Sequence, residues 1–165
     1  MDIRRIVKHL SIGEAAVRRV FPVPALQRIE QAITEVERHT SGQVRFAVEH
    51  ALDLPALLHG QMARQRAIQM FSELQVWDTE HNNGVLIYLL LADRDVEIVA
   101  DRGIHARVGT AAWEQLCQEM EAHFRAGCFE QGVLHGIRQV GLHLSTHFPP
   151  LAGQRNELPD APVVR

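Results

Sequence analysis

Between Trp77 and Gly84 the chain gathers two carboxylates, an imidazole and two primary amides in the run Trp77-Asp78-Thr79-Glu80-His81-Asn82-Asn83-Gly84. Hard divalent cations such as calcium and magnesium take several oxygen ligands, and carboxylate and amide oxygens suit them. Asp101 closes a neighbouring apolar segment and would project to the same rim, so Asp78, Asn82, Asn83 and Asp101 form the candidate metal set. Asn82-Asn83-Gly84 equally reads as a plain turn, because Asn and Gly tolerate positive φ, with Asp78 and Glu80 solvating the loop or capping a helix. With a metal on the rim, Arg102 or Arg107 would face phosphoryl oxygens, which makes Asp101 and Arg102 the candidate catalytic residues for metal-assisted phosphate chemistry. Arg102 would serve just as well in a surface ion pair with Asp101 or Glu97. The chain carries neither a Gly-rich phosphate loop nor a Cys-Arg phosphatase motif.

Other reactive side chains are less pointed. His143 and His147 stand four apart on a helical pattern, a zinc-compatible spacing, with His135 two turns earlier. The Glu of a His-Glu-x-x-His motif is missing, and solvated histidines are the plainer reading. Cys117 lies on an apolar helical face and is expected in the core, whereas Cys128 follows Gly127 and is expected to be more exposed. Neither has a His and Asp spaced for nucleophilic work.

These groups must be held by elements that the patterning predicts. Residues 2–21 are a basic amphipathic helical stretch with a break at Ser11-Ile12-Gly13, able to lie on a membrane surface or pack on its own domain. A helix follows over about Ala25–His39, then a half-buried strand over Gln43–Glu49, where Val44, Phe46 and Val48 alternate with polar neighbours. A helix from Pro55 to about Leu74 is expected to bury Leu58, Met62, Ala67, Met70, Phe71 and Leu74. Val85–Leu91 is apolar throughout, as in a central strand covered on both faces. Asp93-Arg94-Asp95 turns the chain back into an antiparallel strand over Val96–Ala100. Thr110 would cap a helix through Arg125 that Gly127 stops, and a last helix covers about Phe129–His147. From Pro149 the chain is proline-rich and expected to be disordered.

The 165 residues suit one domain, with 46% hydrophobic and 22% charged residues. Seventeen basic against twenty acidic residues give a net charge of −3, which argues against a general nucleic-acid binder. No apolar run reaches the roughly 18 residues of a membrane span. Charged residues interrupt any signal-peptide pattern near the start, and two cysteines are too few for a disulfide framework, so the chain reads as cytoplasmic.

The stretch from Ser41-Gly42 to about Gly132 resembles the TPM domain family of thylakoid-lumen and photosystem-repair proteins. Ser41-Gly42-Gln43-Val44 is similar to its Ser-Gly opening, and Asn82-Asn83-Gly84-Val85-Leu86-Ile87 to its Asp-Asn-Gly-Val-Leu-Leu motif. Val96–Ile104 is similar to a charged strand ending in Gly-Tyr-Gly-Leu, and Phe124–Gly132 to a Phe-x-x-Gly-x-Tyr-x-x-Gly element. Gly42, Gly84, Gly103 and Gly127 then fall on structural loop positions. The resemblance implies an α/β/α sandwich with a small mixed central sheet over residues 23–148, preceded by the basic segment at 1–22 and followed by a tail at 149–165. It further implies a loop-lined cleft that takes calcium or a similar ion such as magnesium, and an acid phosphatase activity in one plant member. The chain looks like a cytoplasmic proteobacterial branch whose genes neighbour LemA-like and other TPM-family genes, which implies those proteins as partners. Asn82 stands where the family has Asp, and Asp101-Arg102 where it has Gly-Tyr. The reading is an accessory domain binding a divalent cation or a protein partner at the rim; the alternative is a metal-assisted acid phosphatase on phosphomonoesters.

Overall fold

The computed structural model describes residues 2–165. The basic stretch breaks where Ser11-Ile12-Gly13 predicts, into α1 (Ile3–Ser11) and α2 (Glu14–Val20). The Asp2 side chain caps α1, accepting the Arg4 N–H at 3.0 Å. Helix α3 (Val23–Glu37) starts ahead of its expected position. Pro22 is its N-cap and Pro24 falls in the first turn, where a missing N–H leaves no helix bond unmade.

Strand β1 (Gln43–Glu49) leads through α4 (Leu54–Leu58) and α5 (Ala63–Glu73) into β2 (Gly84–Leu90). This crossover makes the pair parallel, Val44 opposite Val85 and Val48 opposite Leu89. Arg94 at φ +54° completes a tight turn into β3 (Asp95–Ala100), antiparallel to β2 as expected from so short a link. Then come α6 (Arg102–Val108), α7 (Thr110–Arg125) and α8 (Phe129–His147). A short β4 (Val163–Val164) lies parallel to β1, giving the order β3-β2-β1-β4.

Side chains alternate across the sheet and build two cores. Val44, Phe46, Val48, Ile87 and Leu89 pack with Phe21, Ile29, Ile33, Trp113, Met120, Val140 and Leu144 from α3, α7, α8 and the end of α2. Ala47, Leu86, Tyr88 and Leu90 pack with Leu57, Ala67 and Met70 on the other face. The result is the mixed sheet flanked by helices on both sides that the family resemblance implies.

Four local expectations are corrected. Strand β1 is buried along its whole length, not half-buried. Its polar side chains face the second core but find partners there. Glu49 holds Arg66 at 2.6 Å and accepts the Tyr88 hydroxyl at 2.6 Å, and Arg45 donates to the Ala161 carbonyl at 3.2 Å. The helix expected from Pro55 to Leu74 is two, broken at Gly60 with φ +69°, and this leaves Leu58 and Met62 exposed. Helix α7 begins at Thr110, but Gly109, at φ +85°, is its N-cap. Helix α6 was not expected.

The tail from Pro149, expected to be disordered, is instead a strap along the sheet edge. Its backbone N–H groups at Glu157 and Leu158 donate to Gln43 Oε1 at 2.9 and 2.8 Å, and Arg165 N–H donates to the Val48 carbonyl at 2.9 Å.

Candidate functional site

The candidate rim forms where the amino ends of β1 and β2 meet the carboxyl end of β3. Asp101 N–H donates to the Gly84 carbonyl at 2.9 Å on one side of β2, and Gln43 N–H to the Asn83 carbonyl at 3.3 Å on the other. The loop into β2 turns through Asn82, whose φ of +51° fits the Asn preference for the left-handed region. Two glycines let the backbone close over this corner. A Cβ on Gly84 would lie 2.1 Å from the Val76 carbonyl oxygen, and one on Gly103 would lie 2.5 Å from that of Asn82. The space saved at Gly103 brings α6 against the loop, so that Ile104 N–H reaches the Asn82 carbonyl at 3.2 Å.

Asn83 is wholly buried. Its amide nitrogen donates to the Ser41 carbonyl at 3.2 Å, its backbone N–H reaches Thr79 Oγ1 at 3.1 Å, and its Oδ1 is buried without a partner. Asp101 is 9% exposed. Its Oδ1 accepts the Arg102 N–H at 2.7 Å, capping α6, while its Oδ2 is buried and also lacks a partner. An unsatisfied buried oxygen costs about 1–3 kcal/mol, so two at one corner require an explanation. Carboxylate and amide oxygens are the donor types that a hard cation takes. Among the described residues no group of three His, Cys, Asp or Glu side chains has the geometry of a metal site. Any cation here would therefore rest on one carboxylate and neutral oxygens.

Asn82, Asn83 and Asp101 lie at the same end of the sheet, but the Asn83 amide turns toward Ser41 on the β1 side of β2 while Asp101 caps α6 on the β3 side; Asp78 and Arg102 are exposed. Neither makes a side-chain bond among the described residues. Arg107, the other cation expected near a phosphate, is also exposed.

A cleft of about 690 Å³ opens beside the same loop, lined by Ser41, Glu80, His81, Gln154, Arg155 and Glu157. The Glu157 carboxylate accepts the Glu80 N–H at 2.9 Å and so ties strap to loop. Asn83 and Asp101 are not among its lining residues. Glu157 and Arg155 were missed from sequence because they belong to the tail, whose proline content masks its hydrogen bonds to β1.

The histidines and cysteines have separate surroundings. His143 meets Trp113 edge-on at 5.2 Å; burial, then the neighbouring His147, holds its pKa below the ordinary value. His135 pairs with Glu119 at 2.8 Å. Burial pushes the Cys117 thiol up to about 12, which rules against a resting thiolate, and Cys128 is exposed.

The model of the TPM domain matches residues 19–142. The NMR structure of the BA42 protein from the psychrophilic bacterium Bizionia argentinensis is similar, with a TM-score of 0.75 and 28% identity over 88% of this chain and 95% of that one. The N-terminal domain of a protein from P. gingivalis, also solved by NMR, has a TM-score of 0.62 over 78% of this chain and 79% of that one. Its 16% identity makes this a likeness of fold. No curated protein matches the chain significantly.

Proposed function

Since the chain belongs to the TPM domain family, we propose that it is an accessory binding module whose corner at Asn82, Asn83 and Asp101 takes a divalent cation, calcium or magnesium. The observation that carries this reading is the pair of orphaned buried oxygens, Asn83 Oδ1 and Asp101 Oδ2. Oxygen donors of which only one is charged favour a large, weakly demanding cation and a modest affinity. A partner protein would then be read by the loop and cleft above the corner, whose geometry the cation fixes.

Arg102 supports a second reading, metal-assisted hydrolysis of a phosphomonoester. It is exposed beside Asp101 and makes no ion pair among the described residues, so its guanidinium is available to phosphoryl oxygens.

Titration of chelator-stripped protein with calcium and magnesium, followed by amide NMR shifts, tests both. Shifts clustered at Asp78–Gly84 and Asp101–Gly103, lost in Asp101→Ala, are expected. No shift at millimolar metal overturns the cation site. Turnover of a generic phosphomonoester that requires both metal and Arg102 would favour the enzyme; no turnover between pH 5 and 8 favours the module.

A further inference from the structure

Helix α1 is fastened to the domain by one face only. The Arg5 guanidinium reaches Asp93 Oδ2 at 2.9 and 3.0 Å and the Gln61 carbonyl at 2.8 Å. His9 is fully buried at its side chain. Its Nδ1 accepts the Leu52 N–H at 3.0 Å, which leaves Nε2 to donate to Asp93 Oδ1 at 3.0 Å. Ile6 packs against the second core.

These contacts fix the rotation of the helix and turn Ile3, Val7 and Leu10 outward, 66%, 61% and 64% exposed. Their i, i+4, i+7 spacing makes one continuous stripe. Helix α4 and the residue capping α5 add Leu54, Leu58 and Met62, at 43%, 56% and 56%. Ile6, Leu58 and Met62 line a common cleft of about 470 Å³, which joins the two groups. Among the described residues, half of the twelve exposed large apolar side chains thus sit on α1, α4 and the cap of α5, a concentration that ordinary surface scatter does not produce.

Charge selects the occupant. Arg4 and Lys8 lie exposed beside the stripe; Arg4 has no ion pair among the described residues, and Lys8 only a 3.9 Å approach to an Asp93 already held by Arg5 and His9. Apolar side chains with cations along one edge suit the boundary of an anionic bilayer, where chains enter the acyl layer and ammonium and guanidinium groups meet lipid phosphates. Among the described residues no helix is long and apolar enough to cross a membrane.

We propose that α1 and α4 form a peripheral docking face for an anionic lipid bilayer. The contact is shallow, reversible and salt-dependent, and it leaves Asn83 and Asp101 out of the lipid-binding chemistry, because they lie at the Gln43 end of β1 and His9 holds Leu52 beyond the other end.

The full chain is sedimented with vesicles of phosphatidylcholine, with and without phosphatidylglycerol. Binding to the anionic vesicles, falling with added salt, is the expected result. Val7→Asp with Leu10→Asp should abolish it. Arg4→Gln with Lys8→Gln should weaken it about twenty-fivefold, some fivefold for each neutralised cation. Far-UV circular dichroism melts unchanged in both variants would exclude unfolding as the cause. Wild-type protein that stays in the supernatant overturns the proposal, as does binding insensitive to both pairs. If Val7→Asp with Leu10→Asp instead converts a dimer to a monomer on size exclusion, the face joins two copies and the lipid assignment falls.

Discussion

Asn83 and Glu37 are both polar, both buried and both read very differently from sequence. The run Asn82-Asn83-Gly84 and the nearby Asp101 were recognisable by residue type and spacing. Glu37 was not, because a glutamate at the end of a helix is an ordinary solvated position. Here it is turned inward to accept the Val44 N–H at 2.7 Å, and burial pushes its carboxyl up to about 8, with Asp160 nearby. The folded chain therefore keeps a proton that an unfolded Glu, with an ordinary value of 4.5, releases. Stability from this group is complete below about pH 4.5 and declines as pH rises through about 8. Glu37→Gln preserves an acceptor for Val44 and removes the titration. It should raise Tm by a few degrees at pH 8 and leave it unchanged at pH 4.5, in a series of thermal melts.

Elements were legible where one period dominated. The unbroken apolar run of β2 and the i, i+3, i+4 pattern of α8 left little choice. Strand β1 kept its alternation, but its burial depended on Arg66, Tyr88 and the strap, partners far away in sequence that a local pattern cannot contain. Gly60 and the α6 turn were missed for a different reason: each is a backbone event with little side-chain signature. At Gly103 the opposite holds, since a motif position turned out to have a steric purpose. Gly103→Ala must push α6 off the loop, breaking the Ile104–Asn82 bond. A loss of about 1–3 kcal/mol is expected in denaturant unfolding. The amide response to calcium at Asp101–Gly103 should vanish with it.

At the scale of the molecule, the two cores lie on opposite faces of one sheet and the strap is what finishes the second. Leu158 and Arg45 are both only 6% exposed, and Arg45, bonded to the Pro159 and Ala161 carbonyls, depends on the strap for its partners. Removing residues 158–165 strips those carbonyls from a guanidinium that cannot lose its charge, a loss of about 3 kcal/mol or more. Lower Tm and concentration-dependent light scattering are the expected outcomes, the scattering because the β1 edge becomes available to other chains.

The β1–β4 pairing also bears on how the protein is made. The hydrogen bond from Arg45 to Ala161 alone spans 116 residues. On a ribosome adding about 5–20 residues each second, β1 must wait roughly 6 to 23 seconds for its outer neighbour. Throughout that interval a strand carrying Val44, Phe46 and Val48 offers an open hydrogen-bonding edge to whatever passes. Early closure of helices over the strand's two faces buries those side chains but leaves the edge itself open until β4 arrives.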